Sequence, residues 1–597
     1  MDERVYLGFW TNWSRGPVFG QTLTTTKATG NLIIAFTAVF IGLVASRFWK
    51  IVSFILHRQY STAVPKDTIH HQRQVILRNT VTPEASLLAA VQLHFSWRRS
   101  HPRPGRLFRL LPLILLSGFC LVFFSAAGVL SSNISTSVGD EVLLKGDHCG
   151  MVNVSSITTA KDERLFLANS AKELNKAANY AQQCYNRGAA RTVECNRFVK
   201  NKLPTALADY NASCPFDKRI CRSRFSNIVL DTGPLDSNDH FGLNAPLDQR
   251  FTFRYVLKCA PLETDGFTSN TNEAPGSQPS LTTHTKWKIP QHNTSIEGQE
   301  KEGVPTASGY VPIPELAQPD GDLTVAFLSG QGVFFSEPLD DLWYQATVPG
   351  SKNLTRVYNQ VYRPREAASP LGCVEQYQWC SSTYRKESDQ GCGPLASFYD
   401  AFFGAVEQFY LVGADTSRRA SGKESFQVIT WMVYSLISYL VRLYTVLSCL
   451  GERSLDSQPH ISYGLMDPLP VNQWQLDVQH WFEIILSAFQ AVFVGTALEP
   501  KNSDLENHRI KPMSSHRPSI CNNQKIRSSA HTSFSVFGLS FTLALGVFVM
   551  AVSFALEPVS FFFCKSRKHK YANLEWSTNS SLQLHRLAHE ELGNYLK

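Results

Sequence analysis

The stretch VSFFFCKSRKHKYANLEW, residues 559–576, changes from apolar to strongly basic within a few positions. It follows a run without charged side chains, Thr532–Leu556, and the basic residues begin at Lys565. Basic residues that flank an apolar membrane segment stay on the cytoplasmic side. The pattern therefore predicts a transmembrane helix whose C-terminal end faces the cytoplasm.

Two further uncharged runs, Ala28–Ser46 and Leu110–Ser132, reach the roughly 20 residues that a helix needs to cross a bilayer. Between them, residues 47–109 carry eleven Lys or Arg and two acidic residues. A basic loop is retained in the cytoplasm, so we expect the N-terminus and the region after 132 outside. The excess positive charge lies beside apolar runs, which indicates membrane topology and not a nucleic-acid partner.

These features give one map of the chain. In order, it predicts an exterior N-terminus (1–27), a transmembrane helix (28–49), a basic cytoplasmic loop (50–109), a second transmembrane helix (110–132), an exterior domain (133–531), a third transmembrane helix (532–556) and a cytoplasmic tail (557–597). A mean hydropathy of −0.14 agrees with few spans and a large water-facing remainder.

The basic loop contains a helix signal. Thr82 suits an N-cap, Pro83 the first turn and Glu84 the positive helix end. Four apolar side chains are then predicted on one face, namely Leu87, Leu88, Val91 and Phe95. We expect an interfacial helix on anionic inner-leaflet lipids, or else a loop that only sets topology. A second amphipathic helix is predicted in the tail, through Leu582, Leu587 and Ala588.

Two more apolar stretches, 425–450 and 481–498, leave the number of spans open at three or five. In both, polar residues recur every three or four positions, as on one face of a helix. These residues are Ser435, Ser438, Arg442, Thr445 and Ser448 in the first stretch, and Glu483, Ser487 and Gln490 in the second. The segment between the stretches has four acidic residues and one arginine, which is unusual for a cytoplasmic loop. We therefore favour three spans, with both stretches packed in the exterior domain.

The predicted exterior carries glycosylation signals. N-x-S/T triplets begin at Asn12, Asn133, Asn153, Asn211, Asn293 and Asn353. A seventh triplet, at Asn579, lies in the predicted cytoplasmic tail and is expected to stay unmodified.

Eleven of the thirteen cysteines also fall in the exterior domain. They are Cys149, Cys184, Cys195, Cys214, Cys221, Cys259, Cys373, Cys380, Cys392, Cys449 and Cys521. This number predicts disulfides formed in an oxidising compartment. Because eleven is odd, at least one cysteine is expected to remain free or to pair between chains. The local candidates are Cys214 with Cys221, and two among Cys373, Cys380 and Cys392.

Periodicity predicts an α+β exterior domain. Residues 161–190 have helical spacing, and 226–260 turn to strand-like alternation. Residues 263–308 are rich in polar residues, Gly and Pro, and predict an exposed, flexible insertion. Strand character returns in GDLTVAFLSGQGVFFSE, and PLASFYDAFFGAVEQFYLVG is predicted as a helix.

Two motifs carry possible chemistry. Asp231-Thr232-Gly233 is similar to the active-site turn of aspartic proteases, but that reaction needs two such loops and the chain has no second one after an apolar strand. We expect Asp231 to be a turn residue, with Gly233 supplying backbone freedom. Asp236, Asn238 and Asp239 could offer oxygen ligands to Ca²⁺, but without the spacing of a calcium loop. A polar turn is favoured there, and no metal or cofactor is predicted.

Four segments of the sequence are distinctive in combination: CNNQKIRSSAHTSFSVFGLSF, LEWSTNSSLQLHRLAHEELG, DTGPLDSNDHFGLNAPLDQRFTFRYVLKCAPL and LPVNQWQLDVQHWFE. Together they resemble segments of a group of large fungal integral membrane proteins without an assigned activity. The resemblance implies a filamentous-fungal source, a few spans and an exterior domain with cysteines. It supplies no reaction.

The sequence thus predicts a membrane glycoprotein of the plasma membrane or secretory pathway that interacts, senses or scaffolds. Its expected partners are the bilayer, anionic inner-leaflet lipids and an unidentified protein or cell-wall component. The rival hypothesis is a five-span transporter with Arg442 and Glu483 facing a shared interior. A hydrolase built on Asp231 is the weakest alternative.

Overall fold

The computed structural model describes most of the chain and divides it into two compact units. The described residues are 4–100, 106–130, 139–147, 149–185, 193–270, 285–287, 312–330, 332–350, 360–366, 368–381, 391–411, 428–439, 441–498, 503–512, 521–563 and 567–593. We call Leu7–Asp140 with Ser529–Lys597 the helical unit, and Met1–Tyr6 with Glu141–Ser528 the large unit.

The helices, in chain order, are α1 (Gly16–Phe19), α2 (Lys27–Tyr60), α3 (Thr68–Asn79), α4 (Pro83–Ser100), α5 (Arg106–Leu130), α6 (Ala160–Cys184), α7 (Phe398–Leu411), α8 (428–438), α9 (Leu443–Leu450), α10 (Gln473–Leu498), α11 (Val536–Phe563), α12 (Arg567–Thr578) and α13 (Ser581–Gly593).

The strands are β1 (Gly8–Thr11), β2 (Gln21–Thr26), β3 (Glu141–Leu143), β4 (Met151–Val152), β5 (Leu207–Ala212), β6 (Asn227–Asp231), β7 (Leu235–Asp236), β8 (Phe251–Pro261), β9 (Thr268–Asn270), β10 (Thr285–Trp287), β11 (Asp322–Leu328), β12 (Phe334–Phe335), β13 (Val348–Pro349), β14 (Tyr362–Arg363), β15 (Ser369–Ser381), β16 (Ile461–Ser462), β17 (Leu465–Met466), β18 (Arg509–Ile510), β19 (Lys525–Arg527) and β20 (His531–Ser535).

The helical unit is built on the pair α2 and α11. Each of these helices continues directly from a strand, and β2 and β20 pair with each other in a sheet of order β1-β2-β20. Gly546 of α11 lies against the side chains of Phe40 and Val44 on α2. The absence of a side chain at Gly546 lets the two helices approach closely there. Helices α4 and α5 pack together beside α2, and the short helices α3 and α12 contact the C-terminal half of α2.

The large unit contains an antiparallel sheet of order β11-β15-β8-β6-β5, with β7 added beside β8. The longest pairing joins β15 to β8 from Leu371 opposite Pro261 to Ser381 opposite Phe251. Helix α10 packs across this sheet, with the ring of Phe489 5.1 Å from that of Phe253. Helices α6, α7 and α9 join the same core. A smaller apolar cluster around Phe216 and Leu262 contains Val374 of β15.

Both chain ends of the large unit converge. Strand β3 near its beginning pairs with β19 near its end, and a disulfide links Cys149 to Cys521 across 372 residues of sequence. The Glu141–Ser528 part of the unit therefore begins and ends at one place, between the second and third predicted spans.

Five helical segments in the described part of the chain are long and apolar enough to cross a membrane, by length and composition. In three of them, α2, Phe108–Leu130 of α5 and Val536–Phe562 of α11, only 11–17% of the most apolar window is buried. In Val428–His460 and in α10, that share is 53% and 83%. The fold thus separates the five segments into three with exposed apolar surface, one that is about half-buried and one, α10, that is enclosed by protein.

The predicted polar stripe over 425–450 is wrong, because the segment is not one helix. Helix α8 ends at 438 and α9 begins at Leu443, and Arg442 between them has an extended backbone. Ser435 and Ser438 are buried, whereas Ser448 is exposed. Because of this break, the polar residues of the two halves do not share one face of a single helix.

Other boundaries also differ from the sequence predictions. Helix α2 continues to Tyr60, and 531–535 form strand β20 before α11 begins. Helix α4 begins at Pro83 with the Thr82 hydroxyl accepting from the Ala85 amide, as predicted, but its buried face is that of Ser86 and Ala90. Of the proposed insertion 263–308, residues 271–284 and 288–308 lie outside the described residues.

Candidate functional site

Asp231 is held in a structural ion pair. Its side chain is buried, and its carboxylate accepts from Arg254 Nε at 3.0 Å and from the Gly233 amide at 2.7 Å. Gly233 has a φ of +61°, a left-handed conformation that favours glycine. Asp231 is thus the last residue of β6, its side chain closes the turn that follows, and the backbone of Gly233 has the conformation predicted for it.

The Asp236–Asp239 segment forms a polar turn. The Asp236 carboxylate accepts from the amides of Asn238 and Asp239 at 2.8 and 3.0 Å. The guanidinium of Arg250 lies 3.8 Å from Asp236 and 3.7 Å from Asp239. The positive charge facing these carboxylates is thus that of the Arg250 side chain. Within the described residues, no group of acidic, Cys and His side chains has the arrangement of a metal site.

Ten of the eleven candidate cysteines form disulfides. The pairs are Cys149–Cys521, Cys184–Cys195, Cys214–Cys221, Cys259–Cys373 and Cys380–Cys392. Cys449 is the unpaired cysteine among the eleven. Cys259 and Cys373 stand directly opposite each other on β8 and β15, so this bond crosses the centre of the sheet.

The sequons differ in accessibility. Asn211 is exposed on β5, and Asn153 is half-buried beside β4. Asn12 is buried, and its amide oxygen accepts from the Ser14 amide at 3.2 Å. A glycan on Asn12 would therefore require local opening of the β1–β2 region. Asn133, Asn293 and Asn353 lie outside the described residues.

Arg442 and Glu483 have separate surroundings. The Arg442 guanidinium lies over the rings of Phe398 and Tyr399, 4.6 and 5.1 Å from their centroids. The Glu483 carboxylate accepts from Gln479 one turn earlier on the same helix, at 2.9 Å. The structure therefore does not join these two residues in one polar interior.

The most distinctive polar feature of the large unit is a set of carboxylates, two buried and one half-buried, that accept hydrogen bonds from the N-termini of helices. Asp322 accepts from the Phe398 amide at the start of α7, at 3.0 Å. Glu375 accepts from the Leu443 amide at the start of α9, also at 3.0 Å. Asp341 accepts from the Trp474 amide at the start of α10, again at 3.0 Å. Amides at a helix N-terminus lack partners within the helix and favour negative charge, so each acid fixes where a helix begins.

Glu375 is central to this set. It is 1% exposed on β15, and the same oxygen also accepts from the hydroxyls of Tyr255 and Tyr377 at 2.9 and 3.0 Å. Burial raises the pKa of Glu375 to about 7, although these hydrogen bonds and Arg442 favour the ionised form. Its charge therefore changes near neutral pH.

Asp341 is fully buried and serves two segments. One oxygen accepts from the amides of Trp343 and Tyr344, and the other from the α10 amide of Trp474. Burial raises the pKa of Asp341 to about 6, opposed by these amide donors. Nearby, Asp477 of α10 accepts from the Tyr344 hydroxyl at 2.6 Å, which ties the loop to the helix a second time.

Because these carboxylates are enclosed by protein, a change in their protonation acts on the conformation of the chain. Glu375 and Asp341 have almost no exposed surface and are bound by protein donors. They can couple protonation to the positions of α9 and α10. Sequence reasoning missed them because single acids in β-rich segments give no motif. The available signal was an acid in a strand flanked by alternating aromatic residues, as in VEQYQW.

In the helical unit, the tail helix α12 packs against helices α2 and α3. Trp576 is 2% exposed, and its ring lies edge-on to those of Phe54 and His57, at 4.9 Å from each. Arg78 of α3 lies over the same ring at 4.5 Å and donates to the Trp576 carbonyl at 2.9 Å. The Glu575 carboxylate accepts from the Ser61 hydroxyl. The tail contact defined by these residues is part of the folded unit.

No family model, curated protein or solved structure matches this chain.

Proposed function

We propose that this chain is a three-span membrane glycoprotein whose large unit lies outside the cytoplasm and acts in interaction, sensing or scaffolding. The observation that carries the proposal is the burial of α10. A spanning helix must offer apolar side chains to lipid, and α10 has 83% of its most apolar window enclosed by protein. The exposed apolar surfaces of α2, α5 and α11 suit lipid contact.

Two further features support the orientation. Lys and Arg are concentrated in residues 47–109 and after Lys565, which favours the cytoplasmic side for both segments. The five disulfides of the large unit are typical of an oxidising compartment. The N-terminus would then lie outside and α12 inside, in the plasma membrane or another membrane of the secretory pathway.

The proposed partners follow from this placement. The three exposed helices contact the bilayer, and the basic loop adds attraction to anionic inner-leaflet lipids. The large unit would meet a protein or cell-wall component. The same architecture is what the proposed resemblance to fungal membrane proteins implies.

The native sequons test the orientation. We expect the full-length protein to carry glycans at Asn153 and Asn211, so that its apparent mass falls on deglycosylation. Asn579 should carry no glycan. The matched variants are N153Q, N211Q and N579Q, each analysed by electrophoresis before and after deglycosylation. A glycan at Asn579, or none at both large-unit sites, would contradict the proposed orientation.

A further inference from the structure

Strand β5 ends the central sheet of the large unit. Among the described strands it pairs only with β6, and five of its six residues are exposed. Leu207 and Tyr210 are 51% and 39% exposed, and Phe225 beside the strand is 52% exposed. An edge strand with apolar neighbours is a template for pairing with another chain.

The usual protection of a sheet edge is incomplete in β5. Its sequence LADYNA contains neither Lys nor Pro, which commonly discourage edge pairing, and Asp209 is its single charged residue. A register shift between Asp209 and Ala212 interrupts the regular ladder, and Gln475 donates to the Tyr210 carbonyl at 2.8 Å. These features affect the second half of the strand and leave the regular part at Leu207–Asp209.

A sequon lies on this same edge. Asn211 is exposed, and its Oδ1 accepts from the Ser226 amide at 3.1 Å. This hydrogen bond orients the side chain without using Nδ2, the atom that carries an N-linked sugar. Leu207, where the regular part of β5 begins, is four residues before Asn211, which corresponds to about 13 Å at ~3.3 Å per residue. A bulky glycan on Asn211 can reach across this distance.

We propose that an N-linked glycan at Asn211 covers the open edge of the central sheet and prevents β5 from pairing with a second copy of the chain. This inference rests on the proposed function, because glycosylation requires the large unit to be translocated. Asn153 provides the contrast, since it lies in a turn after β4 and away from β5 in the sheet order.

The test uses the full-length protein in detergent. N211Q and S213A remove the same sequon through different residues, and N153Q removes the other described sequon of the large unit. We expect N211Q and S213A to show at least a twofold increase in protein mass by light scattering. Wild type and N153Q should keep the same mass. Adding A208K to N211Q places a charge on the exposed edge and should restore the wild-type mass.

The outcomes separate this inference from the proposed function. If Asn153 and Asn211 are glycosylated but N211Q keeps the wild-type mass, the edge-shielding role is overturned and the orientation stands. Association of N211Q that A208K does not reverse also overturns it, because misfolding would then be the cause. If neither site carries a glycan, the proposed orientation fails and this inference fails with it.

Discussion

At the scale of single residues, Glu375 makes the large unit sensitive to pH. Its pKa is about 7 in the folded unit, against an ordinary value of 4.5. Between pH 4.5 and about 7, Glu375 is therefore protonated in the folded state and ionised in the unfolded chain. The resulting stabilisation is complete below pH 4.5 and is lost as the pH rises through about 7. Burial of Asp341 acts in the same direction.

We therefore predict that Glu375 raises the unfolding temperature at pH 5 relative to pH 7.5, while His240 and His480, whose pKa values are lowered by burial, act in the opposite direction. Between these two pH values the part due to Glu375 is on the order of 2 kcal/mol. In E375Q that part disappears, so the Tm at pH 5 relative to that at pH 7.5 should fall by a few degrees. Thermal unfolding monitored by tryptophan fluorescence measures it. An unchanged pH dependence in E375Q would show that Glu375 does not titrate in this range.

At the scale of elements, the packing of α2 against α11 depends on Gly546. A Cβ built there would lie 2.3 Å from Phe40 and 2.8 Å from Val44. Small residues at such contacts let membrane helices approach closely. We predict that G546L separates the two helices and lowers the Tm in detergent, whereas G42L on α2, where a Cβ meets no atom within 4 Å, leaves it within about 1 °C. Equal Tm values for both variants would contradict this packing.

The tail contact is the second prediction at this scale. Removing the Trp576 ring eliminates its contacts with Phe54, His57 and Arg78, so we predict that W576A detaches α12. Hydrogen exchange of residues 567–578 should accelerate at least tenfold. L574A is the control, because Leu574 is 61% exposed on the same helix. Equal exchange in the two variants would show that Trp576 does not hold the tail.

Elements with local causes could be predicted from the sequence. The start of α4 follows from Thr82 and Pro83, and the apolar spacing of 161–190 gives α6. The break between α8 and α9 could not be predicted, because the acid that receives the Leu443 amide lies 68 residues earlier. Docking of α12 was missed for the same reason, since Arg78 and Trp576 are 498 positions apart.

At the scale of the whole molecule, the main question from the sequence was whether three or five helices cross the membrane. Charge and hydropathy located all five apolar segments but could not show what surrounds them. For α10 the fold shows a protein environment, with Asp341 at its start and Phe489 on the sheet, and this supports the three-span proposal. An apolar helix in a sequence can face lipid or a protein core, and only the fold distinguishes these environments.

The central claim concerns the segment between α9 and α10, which is outside the cytoplasm with three spans and inside with five. H460N creates the sequon Asn-Ile-Ser in this segment, at a position whose native side chain is exposed. The control, H460N with S462A, keeps the first change and removes the sequon.

We predict a glycosidase-sensitive mass increase in H460N relative to wild type, and its loss in the control. The absence of this increase, with Asn211 glycosylated in the same molecules, would place the segment in the cytoplasm and contradict the three-span account.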